Sequence, residues 1–358
     1  MSSISCGIVG LPNIGKSTLF SALTSTEALI ANYPFATIEP NIGIVPVPDQ
    51  RLKKLADLYN AKNIVPATIQ ITDIAGLVKG ANKGEGLGNQ FLANIRSCDA
   101  ILHVIRAFED NNVIHVHHNL NPKEDIEIIQ TELMLADIAT IEKHLLKLTK
   151  EVKANPKLKN KLVYLNSLKE ALNKGQYHNQ VDTELLNGLQ LLTLKPVIYV
   201  FNLDEQNLSN QEYKDYLASL VPKRESIFIC AKLEYELLSL AEQERLEFLK
   251  SYDLTKTGLE KVIHKSYDLL GLQSYLTAGA KEVRAWTIKK GTVASKAAGV
   301  IHGDFEKGFI AAEIINYQEL IDAGSFLKAK QLGKVRTEGK NYIMQPDDIV
   351  EFRFNVSK

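Results

Sequence analysis

From residue 10 the chain reads Gly10-Leu11-Pro12-Asn13-Ile14-Gly15-Lys16-Ser17-Thr18. This stretch matches G-x-x-x-x-G-K-[ST], the pattern of a phosphate-binding loop. An apolar run at residues 4–9 predicts a strand before it, and residues 18–23 predict a helix after it. In such loops glycines let backbone amides approach phosphates, the lysine bridges the β- and γ-phosphates, and the serine hydroxyl ligates Mg²⁺. The sequence therefore predicts a nucleoside triphosphate site formed by Asn13, Ile14, Gly15, Lys16, Ser17 and Thr18.

Further short apolar runs predict buried strands at residues 69–72, 100–105, 197–201 and 227–229. Helical patterns separate these runs, which is typical of right-handed βαβ units in a parallel sheet. The first part of the chain is thus predicted to be an α/β domain.

Three residues are placed to complete the phosphate site. Asp73 follows the strand at residues 69–72 and can hold the Mg²⁺ shell, and Gly76 lets an amide reach the γ-phosphate. Thr37 lies in the loop at residues 32–41, where it can be a second hydroxyl on Mg²⁺, although most loop threonines are solvated. We therefore predict Ser17, Thr37 and Asp73 as metal ligands.

The base-reading loop departs from the usual N-K-x-D pattern. Residues 202–205 read Asn-Leu-Asp-Glu, so Leu203 replaces the lysine and Glu205 stands at the aspartate position. Ala231 lies where the S-A-K motif would be. We expect Asn202 to tie this loop to the phosphate-binding loop and Leu203 to pack on a base. The residues alone leave the base open, because Glu205 still carries a carboxylate and Asp204 is adjacent.

A helical pattern begins after Asn121-Pro122, with Glu124 at the capping-box position. Ile138, Ile141, Leu145, Leu148 and Val152 form a heptad seam, and a second leucine stripe follows the break at Asn155-Pro156. The pattern predicts a projecting antiparallel hairpin. The alternative is that both helices pack on the sheet.

The texture changes again towards the end of the chain, with turn glycines and an alternating run at residues 349–354 that predicts a strand. We divide the chain into a nucleotide-binding domain (1–121 and 190–275), a helical insertion (122–189) and a small α+β domain (276–358).

Composition excludes several classes of protein. The 358 residues include 42 Lys+Arg and 42 Asp+Glu, a balance that argues against a globally basic nucleic-acid coat protein. Three widely spaced cysteines predict neither a disulfide framework nor a zinc site. No apolar run approaches the ~20 residues that span a bilayer, and the start lacks a secretory pattern. We expect a cytoplasmic protein with no membrane partner.

The chain resembles the YchF group of Obg-like ATPases, within the translation-factor-related class of P-loop NTPases. The resemblance is carried by GLPNIGKST (10–18), NYPFATIEPN (32–41), DIAGLVKGANKGEGLGNQFLANIR (73–96), NLDE (202–205) and WTIKKGTVASKAAGVIHGDFEKGFIAAEI (286–314). It implies an OBG-type domain interrupted by a helical hairpin and followed by a ubiquitin-like TGS domain. It also implies ATP preferred over GTP, Mg²⁺, association with the ribosome and its RNA, a role in translation or stress response, and no DNA specificity.

Two positions depart from the family pattern. Ala36 stands where some relatives carry a cysteine, so the resemblance does not extend to redox control there. Gly303 stands where the TGS stretch often has threonine.

The resemblance also implies an unusual water-positioning group. Leu77 occupies the place after D-x-x-G where small GTPases carry glutamine, and leucine cannot hydrogen-bond to water. His115 matches the family's candidate catalytic histidine. We predict His115, Lys16 and Gly76 as the catalytic residues and expect slow intrinsic hydrolysis. The alternatives are a solvated His115 without a role and, for the cluster of Glu109, Asp110, His115, His117 and His118, a metal site.

Two basic segments stand out on this neutral chain. One is the predicted hairpin tip, residues 147–161. The other is in the last domain and comprises Lys281, Arg284, Lys289, Lys290, Lys296, Lys328, Lys330, Lys334, Arg336 and Lys340. They predict two jaws of an RNA-facing surface, or else ordinary solvated faces. Two other functions stay open: an Obg-class GTPase, and a nucleotide-gated RNA- or ribosome-binding module with negligible turnover.

Overall fold

The computed structural model describes residues 4–24, 42–74, 87–110, 120–176, 182–186, 188–222, 225–252 and 254–355. The strands are β1 (Ser5–Val9), β2 (Ile42–Pro46), β3 (Asn63–Val65), β4 (Thr68–Asp73), β5 (Ala100–Ala107), β6 (Val197–Leu203), β7 (Ser226–Ile229), β8 (Leu272–Ala278), β9 (Glu282–Lys289), β10 (Phe309–Asn316), β11 (Arg336–Glu338) and β12 (Asp348–Phe354). The helices are α1 (Lys16–Thr24), α2 (Gln50–Tyr59), α3 (Leu87–Ser97), α4 (Pro122–Ala154), α5 (Lys159–Asn173), α6 (Gln211–Ser219), α7 (Ala231–Leu237), α8 (Glu242–Ser251), α9 (Gly258–Leu269), α10 (Ala294–Ile301), α11 (Gly303–Lys307), α12 (Tyr317–Ala323) and α13 (Phe326–Gln331).

The first sheet has the order β2-β4-β1-β5-β6-β7, with β2 antiparallel to β4 and all other neighbours parallel. It confirms the five strands predicted from apolar runs. The edge strand β2 escaped prediction because Ile42–Pro46 is only partly buried and contains glycine and proline. Every residue of the central strands β1 and β5 is buried, so the loops at their carboxyl ends start from a rigid base.

The helical insertion is a hairpin, as predicted. The second half of α4 packs against α5, and Ile141, Leu145, Leu148, Leu165 and Leu168 form part of a hydrophobic cluster of their own. The first half of α4 was not predicted to pack on the sheet, but it does. Ile129 and Leu133 join the main core there. At 1.5 Å per residue the 33 residues of α4 extend about 50 Å, so only part of the helix can cover the sheet.

Two sets of hydrogen bonds anchor this hairpin, one at the start of α4 and one near its middle. The Asn121 side chain accepts from the Glu124 N–H (3.3 Å) and donates to the Glu124 carboxylate (3.2 Å). At the base of the hairpin, the buried Asp137 carboxylate accepts from the backbone N–H groups of Leu192 and Thr193, both at 2.8 Å. The hairpin is therefore joined to the segment that leads into β6.

The second sheet has the order β11-β10-β12-β8-β9-β3 and confirms the strand predicted at residues 349–354. Strand β3 belongs to the first part of the chain and pairs with β9 from Asn63↔Glu282 to Val65↔Arg284. By covering β9, β3 removes an exposed edge from the C-terminal sheet. Strand β8 begins at Leu272, so the predicted division at residue 276 falls inside a strand.

An ion-pair cluster also joins the two parts of the chain. The Arg51 guanidinium on α2 contacts the Asp49 carboxylate at 2.7 Å and the Asp347 carboxylate at 2.8 Å. The hydrogen bond to Asp49 is the main cause of the raised pKa of Arg51.

Gly303 begins α11, and a Cβ there would meet no heavy atom within 4 Å, so packing does not require glycine.

A buried histidine makes the stability of the protein sensitive to acid. His103 lies on β5 and is 2% exposed. Burial lowers the pKa of His103 from 6.5 to about 3. Below pH 6.5 the unfolded chain therefore binds a proton that the folded chain does not. The free energy of unfolding decreases as the pH is lowered. Between pH 7.5 and 5.0 we expect the free energy of unfolding to decrease by about 2 kcal/mol more in the wild type than in His103→Leu. Urea unfolding at both pH values measures this, and equal losses would contradict it.

Candidate nucleotide-binding site

The loop between β1 and α1 has a backbone that most residues cannot adopt. Gly15 has a φ of +90° and Asn13 a φ of +61°. A Cβ on Gly10 would lie 2.5 Å from the Val104 carbonyl oxygen of β5. Both motif glycines are therefore required, Gly15 by backbone conformation and Gly10 by close approach to the sheet.

The motif lysine is held inside this loop. Lys16 is 8% exposed, and its Nζ donates to the Leu11 carbonyl oxygen at 2.7 Å. Burial lowers the pKa of Lys16, whereas the Asp73 carboxylate opposes that shift. The ammonium is thus placed over the loop backbone, where a phosphate oxygen would give it a charged acceptor.

Ser17 and Asp73 form an oxygen pair beside the lysine. The Ser17 Oγ and the Asp73 Oδ2 are 3.4 Å apart. The other carboxylate oxygen, Asp73 Oδ1, is buried and has no hydrogen-bond partner among the described residues. Burial raises the pKa of Asp73, and Lys16 opposes that shift. An orphaned carboxylate oxygen next to a hydroxyl fits the oxygen ligands that Mg²⁺ prefers.

The Asn202 side chain joins three loops at the carboxyl edge of the sheet. Its Nδ2 donates to the Ile14 carbonyl oxygen at 3.0 Å, and its Oδ1 accepts from the Ala231 N–H at 2.9 Å. This confirms the predicted tie between the base-reading loop and the phosphate-binding loop. A Cβ at Gly15 would lie 2.4 Å from the Asn202 Nδ2.

The other base-loop residues point in different directions. Leu203 is 1% exposed and packs in a hydrophobic cluster with Phe201 and Leu217, so it supports the loop from inside rather than offering a surface to a base. Both Asp204 oxygens accept from the Asn207 side-chain amide, at 3.0 and 2.9 Å. Glu205 is half-buried, and its carboxylate lies 3.9 Å from the Lys232 Nζ.

Several predicted site residues lie outside the described residues: Thr37, Gly76 and His115, together with Leu77, His117 and His118. Asn13, Ser17 and Thr18 are exposed at the loop, and Ile14 and Ala231 are buried. Among the described residues, no group of three or more His, Cys, Asp or Glu side chains could hold a metal ion.

Sequence reasoning missed Arg106, a charged residue at the end of the apolar strand β5. It is 4% exposed and donates to the carbonyl oxygens of Phe108 and Asp110, both at 3.2 Å. Its guanidinium lies 4.5 Å from the centre of the Phe108 ring. Arg106 therefore fixes the backbone that leads into residues 111–119, which include His115. A cation inside an otherwise apolar run was the available clue.

The Asn202 contacts give a direct test of the site. Asn202→Ala removes both hydrogen bonds between the three loops and leaves the Ile14 carbonyl and the Ala231 N–H without their partner. We expect nucleotide affinity to fall by at least about tenfold, the effect of losing one or two buried hydrogen bonds.

Asn166→Ala is the matched control, because Asn166 also donates to a backbone carbonyl but lies on α5, away from the site. Calorimetric titration with nucleotide measures both variants. Equal affinities in wild type and Asn202→Ala would show that the tie does not organise the site.

Two known protein families match parts of this chain. A family described as 50S ribosome-binding GTPase matches residues 5–133, and the YchF-GTPase_C family, described as a protein of unknown function, matches residues 272–355. No described helix is long and apolar enough to cross a membrane.

The chain is also similar over its whole length to individual proteins. It is 47% identical to the ribosome-binding ATPase YchF of Bacillus subtilis (strain 168), covering 99% of this chain and 100% of that protein. It is 47% identical to the protein of the same name from Escherichia coli O157:H7, covering 98% and 99%. The solved structure of the Schizosaccharomyces pombe YchF GTPase is 40% identical, covers 98% of each chain and superposes with a TM-score of 0.83. The phosphate-binding loop, the inserted hairpin and the C-terminal sheet thus occur together in a full-length match, and the chain belongs to the YchF family of P-loop nucleotide-binding proteins.

Proposed function

We propose that this protein is an ATP-hydrolysing molecular switch that associates with the ribosome. The observation that carries the proposal is the convergence at one sheet edge of Lys16, the Ser17–Asp73 pair and the Asn202 tie. The full-length similarity to proteins named ribosome-binding ATPases supports the partner. A role in translation or stress response follows from the resemblance and belongs to the same proposal, as does a cytoplasmic location.

Mg²⁺ is the cofactor that the donors fit. Ser17 and Asp73 would hold it, with Thr37 as the third protein ligand. When bound, the ion would neutralise charge that develops on the phosphates. The protein's own part is to hold the Lys16 ammonium and the loop amides at the phosphates.

The preference for adenine rests on the base-reading loop. In N-K-x-D proteins the aspartate accepts two hydrogen bonds from guanine. Here the only aspartate of the motif, Asp204, is occupied by the Asn207 side chain and by the Asn207 N–H at 2.9 Å. The residue at the motif position, Glu205, has a longer side chain next to Lys232. These contacts support ATP over GTP, with a GTPase as the competing function.

Calorimetric titration with ATP and GTP, with and without Mg²⁺, tests the preference. We expect ATP to bind more tightly than GTP, and Mg²⁺ to strengthen binding of both because Ser17 and Asp73 supply its ligands. Tenfold tighter binding of GTP, a difference of about 1.4 kcal/mol, would assign the protein to the GTPases instead. Asp73→Asn serves as the matched variant, since it should abolish the gain from Mg²⁺ while leaving metal-free binding in place.

Hydrolysis requires a group that orients water, and we assign that role to His115. A neutral imidazole can accept a proton from water or orient it, whereas Leu77 cannot. Single-turnover hydrolysis of ATP should slow by about a hundredfold or more in His115→Ala, with binding intact. Leu77→Gln offers a substitute donor and should not slow the reaction. An unchanged rate in His115→Ala would remove the role, and no turnover in the wild type would favour the nucleotide-gated binding module.

The two basic segments differ in how their charges are used. At the hairpin tip Lys147, Lys150, Lys153, Lys157 and Lys159 are exposed, and none forms an ion pair with a described carboxylate. Many cations of the C-terminal segment are already paired: Lys290 with Asp268, Lys296 with Glu306, Lys330 with Glu313, Lys334 with Glu319, and Arg336 with Glu338. The hairpin tip is therefore the stronger of the two proposed RNA contacts.

Co-sedimentation with ribosomes across a salt series tests this contact. Binding should weaken steeply with salt and differ between ATP and ADP, because phosphate contacts release counterions and the switch is nucleotide-dependent. Reversing the charges at Lys153, Lys157 and Lys159 should reduce binding by at least about tenfold at moderate salt. Reversal at the exposed Lys53, Lys54 and Lys62 is the matched control. If both triple variants co-sediment like the wild type, the hairpin tip does not contact RNA.

A further inference from the structure

A groove runs along the outer side of β7, the last strand of the first sheet. It encloses about 430 Å³ and is lined by the whole of β7, by Phe248 and Leu254 on one side and by α9 on the other. We call this the edge groove. Its lining contains none of the residues assigned to nucleotide or metal.

The floor of the edge groove is an open strand edge. The Tyr199 N–H of β6 donates to the Glu225 carbonyl at 2.9 Å, which sets the parallel register of β6 and β7. In that register alternate residues face β6, and the N–H and C=O groups of Ser226 and Phe228 face outward. No backbone group in the described part of the chain pairs with them. An unpaired edge of this kind accepts a further strand.

The two walls of the groove differ in chemistry. Ile227 and Ile229 point towards α9, on the face of the sheet where Lys261 and Lys265 line the groove. Phe228 points to the opposite face, where Phe248 and Leu254 offer apolar surface. Because side chains of a strand alternate between the two faces, an added strand would meet cations on one side and apolar groups on the other.

The lining of the groove carries more cations than carboxylates. Lys214, Lys256, Lys261 and Lys265 line it, and none of the four forms an ion pair with a carboxylate of a described residue. The two acidic residues of the lining are already engaged. Glu234 accepts from the backbone N–H groups at the start of α9, and Asp268 pairs with Lys290 at 3.2 Å. Lys214 donates to the Leu208 carbonyl, so its ammonium is held at the rim.

We propose that the edge groove binds an extended acidic segment of a partner protein, which adds to β7 as a further strand. Its main chain pairs with Ser226 and Phe228, its acidic side chains face Lys261 and Lys265, and its apolar side chains cover Phe248 and Leu254. A small apolar anion would satisfy the lysines but not the outward N–H and C=O groups of β7. The requirement for both a charged face and a backbone partner selects a peptide.

A labelled synthetic peptide in which valine and glutamate alternate is the probe, and fluorescence anisotropy with the full-length protein measures its binding. We expect saturable binding that weakens with salt. Two control peptides separate the contributions. One carries lysine in place of glutamate, and the other carries N-methyl groups on alternate amides, which removes the backbone donors. Both should bind at least about tenfold more weakly.

Protein variants test the same contacts from the other side. Lys261→Glu combined with Lys265→Glu should weaken the valine–glutamate peptide by at least about tenfold. Lys250→Glu, an exposed lysine of α8 outside the groove lining, should not. Ser226→Pro removes one outward N–H at the first residue of an edge strand, where proline is tolerated, and Ser226→Ala keeps it. Only the proline variant should lose affinity.

Three results would overturn the proposal: no binding of the valine–glutamate peptide, equal binding of the lysine peptide, or equal binding of the N-methylated peptide. The last would identify the groove as a site for apolar anions rather than strands. Far-ultraviolet circular dichroism of each variant confirms folding. The lysine peptide and the N-methylated peptide are both compared with the valine–glutamate peptide on wild-type protein. These comparisons therefore decide the question even where a variant does not fold.

Discussion

The nucleotide site depends on one side-chain amide. Asn202 donates to the loop after β1 and accepts from the residue that begins α7, so the ends of β1, β6 and β7 share a single anchor. Ile14 and Asn202 are 188 residues apart in the chain, yet the contact leaves no room for a Cβ at Gly15. Gly15 is therefore required for two reasons: its φ is positive, and the Asn202 side-chain amide occupies the space that a Cβ would need.

A neutral chain can still present a strongly charged surface. In the C-terminal domain, lysines such as Lys330 and Lys334 lie next to carboxylates, and the ion pairs cancel most of the field that a distant phosphate would experience. At the hairpin tip and around the edge groove, exposed or half-buried lysines form no ion pair with a carboxylate of the described residues, so their field extends into solvent. Pairing, rather than the number of lysines, distinguishes a solvated face from a surface that attracts an anionic partner.

Sheet edges explain much of the remaining architecture. The C-terminal sheet would expose β9, and the three residues of β3 cover that edge while joining the two parts of the chain. The Arg51 cluster lies at the same junction and adds ion pairs to the backbone pairing. Among the described residues, no strand pairs with the outer edge of β7 in the first sheet. The β9 edge is used for internal assembly, and the β7 edge is the one to which we assign a partner strand.

Features that depend on local pattern could be predicted from the residues alone. The spacing of Gly10, Gly15, Lys16 and Ser17 specified a phosphate-binding loop, apolar runs located five strands, and two seams predicted the hairpin, because each of these follows from neighbouring residues. The contacts of side chains with distant elements became known only from the folded structure. Leu203 is buried in the core, the Asp204 carboxylate accepts from Asn207, and β3 pairs with the second sheet. Four of the eight lysines in the C-terminal basic segment form ion pairs with carboxylates. These outcomes depend on which segments lie next to one another after folding, and periodicity carries no information about that.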